Sequence, residues 1–358
     1  MNPLAIQGVG VLGGFGCGVA ELERRLALGP AAPGELSVPF EGEEIRLPAQ
    51  LADPTALERF VSKRATRRTD HFSRMALLGA HLALEDAGAL ECPRGRMGVV
   101  IATGYGPTRT TFSFLDTVLD DGDACASPTH FSNSVHNAPG AHVAIQLKAT
   151  GPSLTVSQFE MSVASALLTA QSWLAEGRVG SVLFGAVDEA CAVLGYCWKR
   201  YFSSSRSLQI APFALDRQSA VPGEGAAFFL LDRAREARYG HISRVSLGRA
   251  GKGTFSSGPF VLNADGHPAC SAPYRGLLSG PAKVAAYTPH FGSLPVGQAF
   301  DLAVAALAVR DGRFPPAPAS ESLPEPWSPA AGAETDAAVT CLKCDAGGYF
   351  GAISVERL

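Results

Sequence analysis

A chain of 358 residues, 46% hydrophobic and 18% charged, can bury a large core and lacks the composition of a disordered segment. Its formal net charge of −3 argues against a nucleic-acid binder and against a polybasic membrane protein. The opening MNPLAIQGVGVLGG has no basic stretch leading into a long apolar run, and no window approaches 18 uninterrupted apolar residues, so a cytoplasmic protein is expected.

The elements alternate along the chain. LAIQGVGVL reads as a strand and Val19–Leu28 as a short helix closed by Gly29 and Pro30. The basic run 63–68 reads as a solvated helix face, with a docking patch for an acidic protein as the other reading. Residues 70–87 carry Phe72, Met75, Ala76, Leu78, Leu82 and Leu84 at helical spacing, with Gly88 as a C-terminal cap. MGVVIATG is a buried strand, Ala138–Leu147 a helix, 154–157 a strand and 161–176 a helix. SVLFGAVDE and GAAFFLLDR are further buried strands. The theme then returns, with a strand over 242–248, a buried helix over 302–312 and closing strands AAVTCLK and GAISVERL. This βαβα order predicts a sheet covered by helices, built twice over. The proline-rich stretch 314–329 is a surface connection.

Eight cysteines are scattered without the paired spacing of a disulfide framework, so a reduced set is expected. Cys341 and Cys344 form a CxxC with no second pair or histidine cluster, which makes them strand-end residues rather than zinc ligands.

Residues 155–168, TVSQFEMSVASALL, break a β-branched strand into a sharp turn and a small-residue helix. A side chain at such a turn faces the helix N-terminus, where free N–H groups stabilise an anion. Enzymes use that position to activate a cysteine or hold a serine upright. Here it holds Glu160, a weak nucleophile towards a thioester. The pattern is that of a catalytic fold without the catalysis.

Five runs resemble the β-ketoacyl synthases of the thiolase superfamily. GVGVLGGFGCGVAEL resembles the opening strand and loop, and FSRMALLGAHLALEDAG the helix before the first core strand. SPTHFSNSVHNAPGAHVAIQLKATGPSLTVS resembles the approach to the nucleophile elbow. PFALDRQSAVPGEGAAFFLLD and ALAVRDGRFPP resemble the Gly-Glu-Gly run and the late buried helix. The resemblance spans nearly the whole chain. It implies a thiolase-like α/β fold, an internally duplicated five-layer α-β-α-β-α. The N-terminal half would cover 1–240 and carry the elbow, and the C-terminal half 241–358.

The departures from the family matter more. Glu160 takes the place of the catalytic cysteine. The family's first histidine lies in an Asn-Ala-His-Gly-Thr run; here Asn263-Ala264-Asp265-Gly266-His267 puts Asp265 there. His267, Pro268 and Ala269 replace the threonines that hold phosphopantetheine. The second histidine position falls at Phe291 or Ser293, His290 entering it only through a gap, and the family lysine falls at Ala286 or Tyr287. The family's phenylalanine gate reads KCDAGGYFG, keeping Lys343 and Gly347. The family reaction needs a thiolate to take the acyl chain and histidines to stabilise charge as malonyl thioester loses CO2. No catalytic residue is retained, so no condensation by this chain alone is expected. Asp265 is expected to face Glu160, raising one carboxylate's pKa or repelling an anionic malonyl group. Glu160 itself reads either as a helix-capping carboxylate filling the old cysteine pocket or as an anion promoting decarboxylation. A Glu160–Asp265 acid–base pair is a further reading.

The whole resembles a chain-length-factor subunit of a type II polyketide synthase. That implies a heterodimer with an active, cysteine-containing ketosynthase carrying out decarboxylative Claisen condensation. It implies no cofactor of its own, the substrate arriving on the phosphopantetheine of an acyl carrier protein bound to the partner. The segment THFSNSVHNAPG, with His130, Phe131 and Asn133, would approach the partner, and the strand LTVS would pair across the two-fold. The helix from Thr108 would line the acyl tunnel, with Thr110, Phe112, Phe114 and Leu115 as wall candidates; ordinary core packing is the other reading of these phenylalanines. The chain is short for the family near 203–209 and 270–286, the second of which would include loops that shape an acyl-carrier entrance. The alternatives are a free-standing enzyme using Glu160, such as a malonyl-thioester decarboxylase, and a scaffold that no longer touches acyl chains.

Overall fold

The computed structural model describes residues 3–202, 208–251, 255, 258–317 and 323–358. Part of the shortened region near 203–209, residues 203–207, lies outside the described residues, as does 318–322 of the proline-rich connection. Five strands come from the first part of the chain: β1 (Leu4–Gly13), β2 (Met97–Thr103), β3 (Ser153–Ser157), β4 (Ser181–Asp188) and β5 (Gly225–Asp232). Five follow: β6 (His241–Arg249), β7 (Pro259–Leu262), β8 (Lys283–Ala285), β9 (Val339–Cys344) and β10 (Tyr349–Glu356). The helices that matter below are α1 (Val19–Leu28), α2 (His71–Asp86), α3 (Thr108–Asp121), α4 (Pro128–Asn133), α5 (Ala138–Leu147), α6 (Ser162–Ala175), α7 (Ala192–Phe202) and α8 (Gly297–Asp311).

The duplication is visible strand by strand. The first five lie in the spatial order β1-β5-β4-β2-β3 and the second five in the order β6-β10-β9-β7-β8. In each set the first two neighbouring pairs are antiparallel and the next two parallel. The sets join edge to edge through only two residue pairs of β1 and β6, Leu4 with Ile242 and Ala5 with His241.

Layering follows from hydrophobic pattern. Strands such as MGVVIAT are buried at every position, as strands covered on both faces must be. Helices α6 and α8 lie between the two sheets and contact strands of both. Residues 297–309 of α8 are all buried, which its run of alanine, valine and leucine with little polar face requires. Helix α2 covers the outer face of the first sheet. Its N-cap is Asp70, whose carboxylate accepts from Ser73 N at 3.1 Å. Contact between α2 and β1 depends on missing side chains: a Cβ on Gly10 would lie 2.2 Å from the Gly79 carbonyl oxygen. The outer face of the second sheet carries the short helices Pro268–Ser271 and Pro273–Leu277. The result is a thiolase-like, five-layer α/β fold.

Two elements were not legible beforehand. A hairpin, Gly34–Phe40 with Glu43–Ala49, packs on α7 through Leu36 and Val38, with the Phe40 and Tyr196 rings 5.1 Å apart. Helix α7 is the second, a stretch to which the sequence reading assigns no element. All eight cysteines are unpaired, with Cys341 and Cys344 buried on β9. Among the described residues no helix is long and apolar enough to cross a membrane, and no cluster of metal-ligating side chains occurs.

Strand β3 ends the first sheet, and its outer edge is unpaired among the described residues. Apolar side chains on it and on neighbouring elements are exposed: Phe112 43%, Phe131 58%, Ile145 72%, Leu154 41% and Phe159 60%. Bare edges of this kind normally pair or are covered.

Candidate functional site

The elbow begins where β3 ends. Phe159 adopts a left-handed backbone, φ 45°, which is costly for a bulky residue. The turn is held by Ser162: its Oγ accepts from Gln158 N at 2.8 Å and lies 2.8 Å from Thr103 O. Glu160 sits in the following one-turn helix, Phe159–Met161, just before α6. Its carboxylate forms no hydrogen bond among the described residues, so the expected helix-capping contact is absent.

The opposite wall comes from β7 and β9. Lys343, on β9, is fully buried. Its Nζ donates to Asn263 Oδ1 at 2.6 Å, to Asp265 Oδ2 at 3.3 Å and to Leu294 O at 3.4 Å. Asn263 Nδ2 in turn donates to Asp301 Oδ2 at 2.5 Å. Burial works against the ammonium, but the carboxylates of Asp265 and Glu160 outweigh it and the Lys343 pKa moves up. This changes the sequence argument about Asp265. Its charge is not set bare against Glu160; an ammonium answers it. Asp301 lies deeper, and burial pushes its carboxyl up to about 7.

Between these walls lies a cavity of about 260 Å³, lined by both Glu160 and Asp265. Tyr105, Gln218, Cys270, Ser293, Leu294, Pro295 and Ala346 complete its polar and small surfaces, with His267, Pro268 and Ala269 on one side and Trp198 and Phe202 beside them. The His267 ring packs 4.8 Å from Trp198 and 4.6 Å from Phe202, and burial lowers its pKa. Burial pushes the Cys270 thiol up to about 12, so it is no ready thiolate. Tyr105 is placed by Asp188, whose buried carboxylate accepts from Thr103 Oγ1 at 2.7 Å and from the backbone of Gly104 and Tyr105.

The two residues considered for the second histidine part company. Ser293 lines the cavity and its hydroxyl donates to Asp265 O. Phe291 is buried elsewhere, stacked on Phe300 at 4.9 Å. His290 is fully buried, does not line the cavity, and has no hydrogen-bond partner on either ring nitrogen. Burial lowers its pKa to about 4, keeping it neutral. Ala286 and Tyr287 are buried, the Tyr287 hydroxyl donating to Pro315 O at 2.8 Å. The Gly-Glu-Gly run is structural: Glu224 accepts from Ala52 N at 3.1 Å and Ala190 N at 3.0 Å and faces His71 Nε2 at 3.0 Å.

Sequence reasoning missed Tyr105, Trp198 and Phe202. The Trp198–Phe202 spacing of four residues is the signal that could have placed both rings on one helix face. Of the expected tunnel and interface residues, Phe112 and Leu115 are exposed, which overturns core packing for Phe112; Phe114 is half-buried, with its ring 5.4 Å from Phe131. Thr110 turns inward, its hydroxyl donating to Asp70 Oδ2 at 3.1 Å. His130 is half-buried. Asn133 is buried and ties elements together, donating to Arg68 O at 2.7 Å and facing His142 Nε2 at 2.9 Å.

A site with these changes still sits in a recognisable frame. The family described as the N-terminal domain of β-ketoacyl synthases matches residues 2–237. A Streptomyces virginiae protein described as a polyketide β-ketoacyl synthase is 30% identical over 252 residues, 66% of this chain and 59% of its own length. A 3-oxoacyl-[acyl-carrier-protein] synthase 2 of Synechocystis is 25% identical over 227 residues, 60% of this chain and 53% of its own. The chain thus matches little more than half the length of these relatives. Among solved structures, the ishigamide ketosynthase/chain length factor superposes with a TM-score of 0.82 at 19% identity, covering 100% of this chain and 99% of that one. A β-ketoacyl synthase from Burkholderia phymatum gives 0.79 at 17% identity, covering both chains completely. The chain belongs to the β-ketoacyl synthase family.

Proposed function

We propose that this chain is a non-catalytic ketosynthase-like subunit, a chain length factor. It would pair with an active ketosynthase and shape the acyl tunnel while the partner condenses chains on an acyl carrier protein. The observation that carries the reading is the content of the elbow cavity. Where a condensing site needs a thiolate and two histidine donors, it presents Glu160, Ser293 and Asp265, the last ion-paired to Lys343 behind the surface. The apolar side chains beside the unpaired edge of β3 support an obligate partner, because such interfaces are large and hydrophobic. Phe112 and Leu115, exposed on α3, are the preferred tunnel-wall candidates. Similarity to a solved ketosynthase/chain length factor agrees with the reading.

Co-expression with a cysteine-containing ketosynthase tests it. A 1:1 complex that condenses malonyl units, with longer products from Phe112→Ala, is expected. A monomer that turns over malonyl thioester unaided would overturn it. The Glu160 carboxylate, unpartnered in its cavity, favours a second reading as a decarboxylase. Glu160→Ala separates the two: intact condensation by the complex supports the subunit, and loss of turnover with intact assembly supports the enzyme.

A further inference from the structure

The elbow cavity has a charge and a lining unsuited to the thioesters that its fold suggests. Asp265 is answered by Lys343, whose contacts to Asn263, Asp265 and Leu294 hold the ammonium behind the cavity surface. Burial lowers the His267 pKa and pushes the Cys270 thiol up to about 12. Two carboxylates face one ammonium, which leaves a net negative charge, and the half-buried Glu160, which also acts on Lys343 electrostatically, has no hydrogen-bond partner among the described residues. The same cavity is lined by Tyr105 and, beside His267, by the rings of Trp198 and Phe202. Aromatic faces carry partial negative charge and attract cations, most strongly where water is excluded. An anionic ligand would meet repulsion from both the carboxylate and the ring faces. The volume of about 260 Å³ falls just below the usual range for drug-sized ligands, so the occupant is small.

We propose that this cavity binds a small organic cation, an alkylammonium group, with Glu160 as counter-ion and Tyr105, Trp198 and Phe202 as its aromatic walls. The proposal stands whether or not the chain pairs with a ketosynthase. Choline is the probe, and 3,3-dimethyl-1-butanol is its neutral isostere. Titration calorimetry is run on the full chain, alone and in its complex, with Trp198 fluorescence as a second readout. Saturable choline binding is expected, with affinity falling about tenfold or more in Glu160→Gln and in Trp198→Leu, and no comparable binding of the isostere. Circular dichroism verifies that each variant is folded; Glu160, half-buried and unbonded, is the safer of the two to change. Equal binding of choline and isostere would make the cavity merely apolar and overturn the proposal. So would unchanged affinity in folded Glu160→Gln, or no saturation by wild type up to about 50 mM choline, a Kd that corresponds to under about 2 kcal/mol of binding.

Discussion

The ammonium of Lys343 lies 3.3 Å from Asp265 Oδ2, with the two side chains 0% and 6% exposed. A buried pair of this kind is expensive to break, because the survivor keeps its charge without water or partner. Lys343→Met should therefore destabilise the chain by about 3–5 kcal/mol in urea unfolding. Lys343→Met combined with Asp265→Leu should recover most of that loss. Strict additivity of the two single changes would show that the pair is not coupled.

Restoring the thiol alone should not restore chemistry. Glu160→Cys is expected to stay inactive in condensation, because Asp265 and Ser293 still line the cavity where donors to an oxyanion are needed. Mass spectrometry of the variant after incubation with an acylated carrier protein reads both loading and extension. Turnover at ketosynthase rates would refute this account of the losses.

The exposed edge offers a test of assembly that leaves the core alone. Leu154→Lys and Phe131→Lys change side chains 41% and 58% exposed. Each should leave the melting temperature of the isolated chain within about 2 °C, since surface changes are usually worth under about 0.5 kcal/mol. Each should weaken capture by a co-expressed ketosynthase more than about tenfold, because a charge would be buried in an apolar interface. Undiminished capture by both variants would place the partner elsewhere.

His290 should make the fold acid-sensitive. Its folded pKa is lowered to about 4 from an ordinary value of 6.5. Below pH 6.5 the unfolded chain takes up this proton and the folded chain does not, so stability drains away as pH falls towards 4. Above pH 6.5 the residue is neutral in both states and contributes no slope. Burial pushes Glu189 and Asp301 up to about 7, which acts in the opposite sense: their cost fades as pH falls through 7. The difference between wild type and His290→Leu isolates the histidine. Melting curves should show the variant gaining progressively from pH 6.5 to 4, by about 2–3 kcal/mol at the acid end. A pH-independent difference would mean that the ring finds a partner.

Much of the frame was legible because it rests on local pattern. The continuous apolar runs of β2, β4 and β5, the helical spacing of α2 and the apolar stretch of α8 each declare themselves locally. Glu160 and Asp265 were legible as departures from a familiar run, and the cavity brings both into one lining. Their meaning was not legible, because it depends on Lys343, nearly eighty residues from Asp265, swinging into the same site. Nor does a sequence show that His290 turns away from the cavity while Ser293, three residues on, turns towards it. The rings of Trp198 and Phe202 share a helix face, but that they reach the elbow cavity depends on how α7 packs against the hairpin and His267.

The two halves share only the pairs Leu4–Ile242 and Ala5–His241 along their sheet edge. Backbone pairing this brief cannot hold them; the sandwiched α6 and α8 do. Cooperativity therefore runs through side chains of the middle layer, not through a continuous ladder. Amide exchange should then find β4 and β9, on opposite sheets, opening with one shared free energy. Damage to α8 would be felt at the elbow although the helix contributes nothing to its turn.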